Sequence, residues 1–260
     1  MTDKGKYTID ILDVALDVIE CLMLSGGKPL RASEIANQLT INRTRVFRIL
    51  KTLEERGYSA FNPDTQGFRL GLKFLEINKE VLKGFNLRKE VEPILVDLAI
   101  STGDSSFLFV REGSNAIIID RHQGERSLQV YSFIGQSLPL HVGASPKVLL
   151  AYTSEEVREN IIKGMLLQRF TANTITRKTD LRHRLDEVRA NGYAVDEEDY
   201  EIGCFSIGAP VFDTNGSIIA GISISTPGSR YSPQRKQELI ELVTGTARKA
   251  SARMGWTGDK

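Results

Sequence analysis

The sequence predicts an α+β protein of two domains, in which a small helical domain with a β-hairpin precedes a larger domain with an antiparallel sheet flanked by helices. Residues 9–56 carry apolar side chains at helical spacing with two breaks, whereas strand-like alternation begins near Ser105. A length of 260 residues suits one large or two ordinary domains. Hydrophobic residues make up 41% of the chain and charged residues 26%, which is typical of a globular protein with a real core.

Two helices open the N-terminal domain. Apolar side chains recur at helical spacing over residues 9–24, and the pair Gly26 and Gly27 ends this helix. Its apolar face is wide enough for part of it to bury against a second subunit as well. A shorter helix is predicted over residues 33–39.

The third predicted helix, residues 43–56, is the most informative element of the sequence. Asn42 is its expected N-cap and Gly57 its left-handed stop. One arc of the helix is apolar and holds Val46, Ile49, Leu50 and Leu53. The opposite arc is polar and basic and carries Thr44, Arg48 and Lys51, flanked by Arg45 and Phe47. Between positions 42 and 51 there are four basic residues and no acidic one.

This distribution of charge suits a helix that inserts into the major groove of DNA. Arginine can fork onto guanine edges or phosphates, while threonine and lysine hold the backbone. Two predicted strands, residues 58–61 and 67–70, are joined by a turn and complete a winged helix-turn-helix. The alternative is a small α/β packing module whose arginines are merely solvated. The predicted DNA contacts are Ser33, Arg43, Thr44, Arg45, Phe47, Arg48, Lys51 and Arg69.

Affinity for nucleic acid must come from a local patch, because the formal net charge of the whole chain is only +1. Residues 28–57 hold seven basic and three acidic side chains, a local net of +4. Cys21 and Cys204 lie far apart and suggest no disulfide framework, which fits a reducing cytoplasm. No apolar run approaches the ~18 residues that span a membrane, and the polar N-terminus is not a signal peptide. We therefore expect a cytoplasmic protein with no membrane partner.

The DNA-binding domain is assigned to residues 1–71, a linker helix to residues 72–86, and the second domain to residues 87–260. In the second domain we expect helices at residues 87–100, 145–152, 154–163 and 180–190, and strands at residues 105–110, 116–121 and 128–133. A hairpin of residues 205–212 and 217–225 follows. A long helix, residues 233–254 with Ser232 as N-cap, ends the domain. Strands with helices before and after them suggest an antiparallel sheet covered by helices.

The hairpin near the C-terminus is the place where a ligand could bind. Strand side chains alternate between two faces. One face is predicted to be packed core and carries Phe205, Ile207, Ala209 and Val211 opposite Ile218, Ala220, Ile222 and Ile224. The other face has only small residues, namely Cys204, Ser206, Gly208, Gly221, Ser223 and Ser225. Such a face either lets a helix approach closely or leaves room for a ligand.

Two further stretches bear on a ligand site. Residues 140–145 lead into a helix, and N–H groups at a helix N-terminus favour a carboxylate or another anion. Residues 196–201 are acidic. They form either a solvated loop or part of the site, with Asp196 binding a ligand hydroxyl or contributing to the pocket mouth.

The sequence does not favour catalysis. It has no Gly-x-Ser-x-Gly elbow, no phosphate loop and no Gly-x-Gly-x-x-Gly after a strand. His122, His141 and His183 are scattered and show no metal-ligand spacing. We expect no catalytic residue, no metal and no cofactor.

Three motifs in order, spread over residues 9–254, resemble the isocitrate lyase regulator (IclR) family of bacterial transcription factors. They are EIANQLTINRTRVFRILKTLEERGY with FRLG after it, LPLHVGASPKVLLA, and GYAVDEEDYEIGCFSIGAPVFDTNG with SISTP behind it. The resemblance implies a winged-helix domain, a linker helix and a GAF-like effector domain that also oligomerises, as dimers or dimers of dimers. It implies two partners, an operator in double-stranded DNA and a small carboxylate effector such as an organic, sugar or aromatic acid.

The resemblance also implies a set of effector contacts that largely coincides with the small-residue face. They are Gly143, Ala144, Ser145, Asp196, Cys204, Ser206, Ser223 and Ser225. Ser206 stands where many members carry cysteine, and Pro146 replaces a residue that is often glycine. Effector identity therefore does not transfer. The alternative is a DNA-binding protein whose second domain oligomerises and senses nothing.

Overall fold

The structure, a computed structural model, describes residues 9–77 and 86–258. The chain divides into two compact units, Met1–Gly84 and Phe85–Lys260. In the described part of the chain, every helix is too short or too polar to cross a membrane.

The first unit is a winged helix-turn-helix, as predicted. It contains α1 (Asp10–Leu24), α2 (Ala32–Leu39), α3 (Arg43–Glu55) and the antiparallel strands β1 (Ser59–Asn62) and β2 (Gly67–Leu70). Its core is formed by the apolar faces of the three helices and of β2, with Val18, Ile35, Val46, Leu50 and Phe68 almost fully buried.

Local side-chain chemistry sets the limits of α3. The Asn42 side chain accepts a hydrogen bond from the Thr44 N–H at 2.8 Å, so the predicted N-cap is confirmed. Gly57, with φ +79°, follows the helix in the left-handed conformation expected of a C-terminal stop. The Ser59 hydroxyl donates to the Leu50 carbonyl at 2.9 Å and thereby ties the hairpin to the helix.

The predicted linker helix is described only in part. Residues 73–77 are helical, and residues 78–85 lie outside the described residues.

The second unit is an α+β domain built on one antiparallel sheet. Its elements are α4 (Asn86–Thr102), β3 (Ser105–Glu112), β4 (Asn115–His122), β5 (Ser137–Pro139), α5 (Ala144–Tyr152), α6 (Glu155–Gly164), α7 (Lys178–Asn191), β6 (Ala194–Glu197), β7 (Cys204–Phe212), β8 (Ile218–Pro227) and α8 (Pro233–Arg253). The strand order is β5-β4-β3-β8-β7-β6. Helices α4 and α8 pack on one face of the sheet and α5, α6 and α7 on the other, so two hydrophobic cores sandwich the strands.

One predicted strand is absent, and two strands, β5 and β6, were not predicted. Residues 128–133 form no strand; Leu128, Tyr131 and Phe133 are exposed, and the strand beside β4 is β5 instead. The alternation of apolar residues at 128–133 predicted a strand, but the edge of β4 is paired with β5 and not with these residues. Strand β6 was not predicted because it contains Asp196, and a buried strand position rarely carries a carboxylate.

The core face of the β7–β8 hairpin was predicted correctly except at its two ends. Ile207, Ala209 and Val211 pack into the core under α4 and α8. A register shift between Val211 and Phe212 sends Ile218 to the opposite core, and Phe205 stacks on Tyr231 with ring centroids 4.2 Å apart.

Candidate nucleic-acid interface and ligand cavity

The outward face of α3 is a cationic surface. Its exposed side chains include Arg43, Thr44, Arg45, Arg48 and Lys51, whereas the acidic residues of the helix lie in its last turn. Thr44, Arg45 and Arg48 also line an open groove that continues onto Ile11 and Ala15 of α1. Six of the eight predicted DNA contacts therefore lie on α3, five of them polar and the sixth Phe47.

Besides these five polar residues, the predicted DNA contacts are Phe47, Arg69 and Ser33, which differ in their exposure and in what they contact. Phe47 is 48% exposed, and its ring meets Phe68 edge to face with centroids 6.3 Å apart, so it also supports the hairpin. Arg69 is exposed on β2, opposite Ala60 of β1. Ser33 lies in the first turn of α2 and is half-buried.

A cavity of about 60 Å³ lies in the second unit, between the sheet and the N-terminus of α5. All eight residues predicted as effector contacts line it. Sequence reasoning missed the rest of the lining, which consists of Phe107, Phe109, Val130, Tyr131, Ser132, Gln136, Leu138, Pro146, Tyr200 and Glu201. The aromatic residues of β3 looked like ordinary core, and nothing in the sequence indicated that they face a cavity.

The small-residue face packs against α5 at two positions and lines the cavity at others. A Cβ at Gly208 would lie 2.8 Å from the backbone nitrogen of Ser145, and one at Gly221 would lie 3.1 Å from the Ser145 Cβ. These two glycines therefore let α5 pack directly on the sheet. Ser206, Ser223 and Ser225 on the same face line the cavity, and Ser223 lies directly opposite Gly208.

The N-terminus of α5 is already occupied by groups of the protein. The Gly143 N–H donates to Asp199 Oδ1 at 2.7 Å, and the Ala144 N–H donates to the Ser206 hydroxyl oxygen at 3.3 Å. The N–H groups of Gly143 and Ala144, which were expected to be available to an anion, are therefore already hydrogen-bonded within the protein. Ser145 is 1% exposed, and its hydroxyl has no hydrogen-bond partner in the described part of the chain. A buried polar atom without a hydrogen-bond partner is energetically costly.

Lys147 and Asp199 form a buried ion pair beneath the cavity. Their side chains are 3% and 7% exposed, and the Lys147 ammonium also donates to the Val195 carbonyl at 3.2 Å. Burial acts to raise the pKa of Asp199, but the Lys147 charge, the adjacent Asp196 and the Gly143 N–H outweigh it. The pKa of Asp199 therefore lies below its ordinary value, and this carboxylate stays ionised.

Asp196 lies in the cavity wall and not at its mouth. It is 3% exposed; its Oδ1 accepts the Asp199 N–H at 2.9 Å, and its Oδ2 accepts the Ser206 hydroxyl at 3.1 Å. Burial, and then the neighbouring Asp199 carboxylate, raise the pKa of Asp196 well above its ordinary value. The acidic stretch thus divides: Asp196 and Asp199 are buried, whereas Glu197 and Glu201 are exposed.

The connection between α6 and α7 holds this acidic stretch in place. Thr171, Asn173 and Thr174 donate side-chain hydrogen bonds to the carbonyls of Glu198, Glu197 and Asp199, at 2.6, 3.1 and 2.7 Å respectively. Sequence reasoning assigned no role to these residues. Threonine and asparagine in a short irregular stretch commonly bond to backbone, which is the signal that was available.

The titratable groups near the cavity are poorly suited to nucleophilic chemistry. Burial, followed by the surrounding carboxylates, raises the pKa of the Cys204 thiol to about 12, so it is not a thiolate at neutral pH. Burial lowers the pKa of His141, whose Nε2–H donates to the Gln168 carbonyl at 2.9 Å. Among residues 9–77 and 86–258, no cluster of three or more His, Cys, Asp and Glu side chains could hold a metal ion.

A winged helix with a cationic recognition helix defines a DNA-binding protein, and comparison with known proteins identifies the family. The family model for the IclR helix-turn-helix domain matches residues 11–60, and the model for the bacterial transcriptional regulator IclR C-terminal domain matches residues 79–252. The chain therefore belongs to the IclR family of DNA-binding transcriptional regulators.

Individual relatives agree with this assignment. The HTH-type transcriptional regulator KdgR of Escherichia coli K12 is 33% identical over 248 residues, which cover 95% of this chain and 94% of the relative. The crystal structure of the Thermotoga maritima IclR has a TM-score of 0.77 at 30% identity and covers 96% of this chain and 100% of its own. An IclR homologue from Microbacterium hydrocarbonoxydans, complexed with 4-hydroxybenzoate, shares the fold with a TM-score of 0.77 at 21% identity, over 94% of this chain and 99% of its own.

Replacing Lys147 by Met is expected to destabilise the fold by about 3–5 kcal/mol at neutral pH, since two buried carboxyl groups lose their cation. The double variant K147M/D199N should recover part of this loss. Because folding lowers the pKa of Asp199, the stabilisation is present above the ordinary pKa of aspartate and is lost as the pH falls through the folded value. Urea unfolding at several pH values measures both effects.

The matched control is Lys236→Met, which removes the exposed ion pair with Glu197. This change should cost about 0–1 kcal/mol. Equal losses of unfolding free energy in K147M and K236M would show that the buried ion pair contributes no more to stability than the exposed one.

Proposed function

We propose that this regulator binds its operator under the control of a small carboxylate effector that enters the cavity beneath α5. The observation that carries the proposal is the unpartnered, buried hydroxyl of Ser145 in a cavity lined by several other hydroxyl groups. The Microbacterium homologue, which shares the fold, was crystallised with an aromatic acid. Because it acts on DNA, we place the protein in the cytoplasm.

On the DNA side, we propose that α3 enters the major groove. Its exposed arginines are suited to guanine edges and phosphates, while Thr44 and Lys51 hold the backbone. Arg69 on the wing and Ser33 on α2 contact flanking phosphates or the minor groove. The full set of proposed DNA contacts is Ser33, Arg43, Thr44, Arg45, Phe47, Arg48, Lys51 and Arg69.

On the effector side, we propose that the acid lies between β8 and the start of α5. The proposed contacts are Gly143, Ala144, Ser145, Asp196, Cys204, Ser206, Ser223 and Ser225. The two α5 amides that bond to Asp199 and Ser206 leave the hydroxyl groups as the main donors to the effector carboxylate. The protonated Cys204 thiol and the hydrogen-bonded His141 are poor nucleophilic groups, which supports a binding role for this site.

We further propose that the functional unit is a homodimer, or a dimer of dimers, that pairs through α1. Ile9, Leu12, Leu16 and Met23 are 63%, 56%, 51% and 58% exposed, and together with the half-buried Ile19 they repeat at heptad spacing. Such a stripe is typical of a coiled-coil seam. A dimer places two copies of α3 in successive major grooves of a pseudo-palindromic operator.

For signal transfer we propose the division into residues 1–71, 72–86 and 87–260, with the middle segment as a linker helix. Effector binding changes DNA affinity only if the effector prefers one arrangement of the DNA-binding domains, by typically about 1–3 kcal/mol. The alternative is a second domain that only oligomerises. It would not account for a buried cavity with an unpartnered hydroxyl.

Arg45→Ala and Arg48→Ala are each expected to weaken binding to a selected operator duplex by about 1–3 kcal/mol and to relax sequence preference, if the side chain contacts a base. Fluorescence anisotropy against selected and scrambled duplexes at one salt concentration measures both quantities. Arg56→Ala, at the far end of the same helix, is the control. Unchanged binding of both duplexes by both variants would refute the assignment of α3 as recognition helix.

A thermal-shift screen against small organic, sugar and aromatic acids should find at least one that raises the melting temperature by mass action. The shift should disappear in the Ser223→Ala, Ser225→Ala double variant and persist in Ser217→Ala, which alters an exposed serine of the same hairpin. A shift that survives in the double variant would place the binding site elsewhere.

Leu16→Glu is expected to shift the sedimentation coefficient from dimer towards monomer and to weaken operator binding, because a charge in an apolar seam is unfavourable. Leu166→Glu is the control, since Leu166 is 85% exposed and belongs to the second unit. A Leu16→Glu protein that remains fully dimeric at micromolar concentration would exclude α1 as the pairing surface.

A further inference from the structure

One exposed aromatic ring lies among the basic side chains of α3. Phe47 is 48% exposed, and it is the only exposed large apolar side chain of α2, α3 and the β1–β2 hairpin. Arg43 and Thr44 lie one helical turn before it, and Lys51 lies one turn after it. Side chains three or four residues apart are neighbours on a helix surface. The ring therefore shares its surface with three of the predicted DNA contacts.

The interior of the domain fixes the position of this ring. Phe47 meets the ring of Phe68 edge to face, with centroids 6.3 Å apart. Phe68 is 2% exposed, its ring centroid lies 5.0 Å from that of Phe61, and its backbone exchanges two hydrogen bonds with Leu30 at 2.8 and 2.7 Å. Phe47 therefore packs against a partner that is itself held on several sides. A side chain that is already ordered loses little conformational entropy when it contacts a ligand.

The exposed part of the ring restricts what it can contact in the major groove. A single exposed apolar side chain is ordinary on a protein surface, but this one lies on the face of α3 that is proposed to enter the groove. The base edges there present hydrogen-bond donors and acceptors and one apolar group, the C5 methyl of thymine. A ring placed against a donor or acceptor would bury it unpaired, which costs free energy. A ring placed against the methyl group removes apolar surface from water, which is favourable.

We propose that Phe47 recognises a thymine of the operator by contacting its C5 methyl group. This inference rests on the proposed function, since it requires α3 to lie in the major groove. It makes Phe47 a specificity-determining residue, with thymine preferred over cytosine, which lacks the methyl group. The neighbouring basic side chains supply the contacts to guanine edges and phosphates, and Phe47 adds the apolar contact that they cannot make.

The first test uses the wild-type protein and a duplex that it selects from a random library. Each thymine of this duplex is replaced singly by deoxyuridine, which removes the C5 methyl group and leaves base pairing unchanged. Fluorescence anisotropy at one salt concentration measures Kd for each duplex. The loss of one buried methyl group corresponds to about a fourfold rise in Kd. We expect this rise at the thymine that Phe47 contacts.

Two variants connect the methyl group to the residue. Phe47→Ala should weaken binding to the selected duplex and should show no further loss when the sensitive thymine is replaced by deoxyuridine. Phe61→Leu is the matched control, because Phe61 packs on the same Phe68 ring but is half-buried and lies in the hairpin. It should keep the fourfold difference between the two duplexes. If F47A does not fold, Phe47→Gln takes its place, since glutamine is a good helix former.

Photochemical crosslinking provides a readout that needs no variant. A 5-bromodeoxyuridine at the sensitive position carries a bromine atom in place of the methyl group, and irradiation links the base to a side chain in contact with it. Mass spectrometry after trypsin digestion should locate the link at Phe47, within the short peptide of residues 46–48 that ends at Arg48. A link to any other residue overturns the inference.

The outcomes separate this inference from the proposed function. If no thymine methyl group affects binding by the wild type, or if F47A keeps the fourfold difference, Phe47 does not recognise thymine. In that case Arg45→Ala would still weaken binding, and α3 would remain the recognition helix. If Arg45→Ala and Arg48→Ala also bind the selected and scrambled duplexes as the wild type does, the proposed function fails together with the inference.

Discussion

The second domain depends on the buried ion pair between Lys147 and Asp199. This pair joins the first turn of α5 to the connection after β6, two segments that are distant in sequence. Its desolvation cost is offset by further hydrogen bonds, since Asp199 also accepts the Gly143 N–H and Lys147 also donates to a backbone carbonyl. Removing one partner of a buried pair leaves an uncompensated buried charge, which is strongly unfavourable. The pair therefore favours an arrangement in which the start of α5 lies beside the connection after β6.

The cavity is a consequence of that position. At Gly208 and Gly221 the sheet has no side chains, and α5 rests directly on it. Serines of β7 and β8 on the same face line the cavity. Asp199 and Ser206 accept the N–H groups of Gly143 and Ala144 at the start of α5. The polar groups that line the cavity therefore include several hydroxyl groups together with Asp196, Gln136 and Glu201. Thr171 and Thr174 hold the acidic stretch against the domain through hydrogen bonds to the backbone carbonyls of Glu198 and Asp199.

The structure of the first domain follows from local features of its sequence. Its core arises from helical periodicity, and its helix ends are set by single residues such as Asn42 and Gly57. Among the described residues of this domain, no charged side chain is buried. The cationic face of α3 is exposed because its opposite face, with Val46 and Leu50, is almost fully buried.

The sequence by itself determined the elements whose cause is local: the winged helix-turn-helix, most helices of the second domain, and the serines of the β7–β8 face. Periodicity, caps and strand alternation act over a few residues and are visible in the chain. Only the tertiary structure decided that β5 displaces the strand expected at residues 128–133, that Asp196 is buried in β6, and that Phe107 and Phe109 face the cavity. These features depend on which distant segment lies alongside, and the pairing of Lys147 with Asp199, 52 positions later, is a contact that no local pattern encodes.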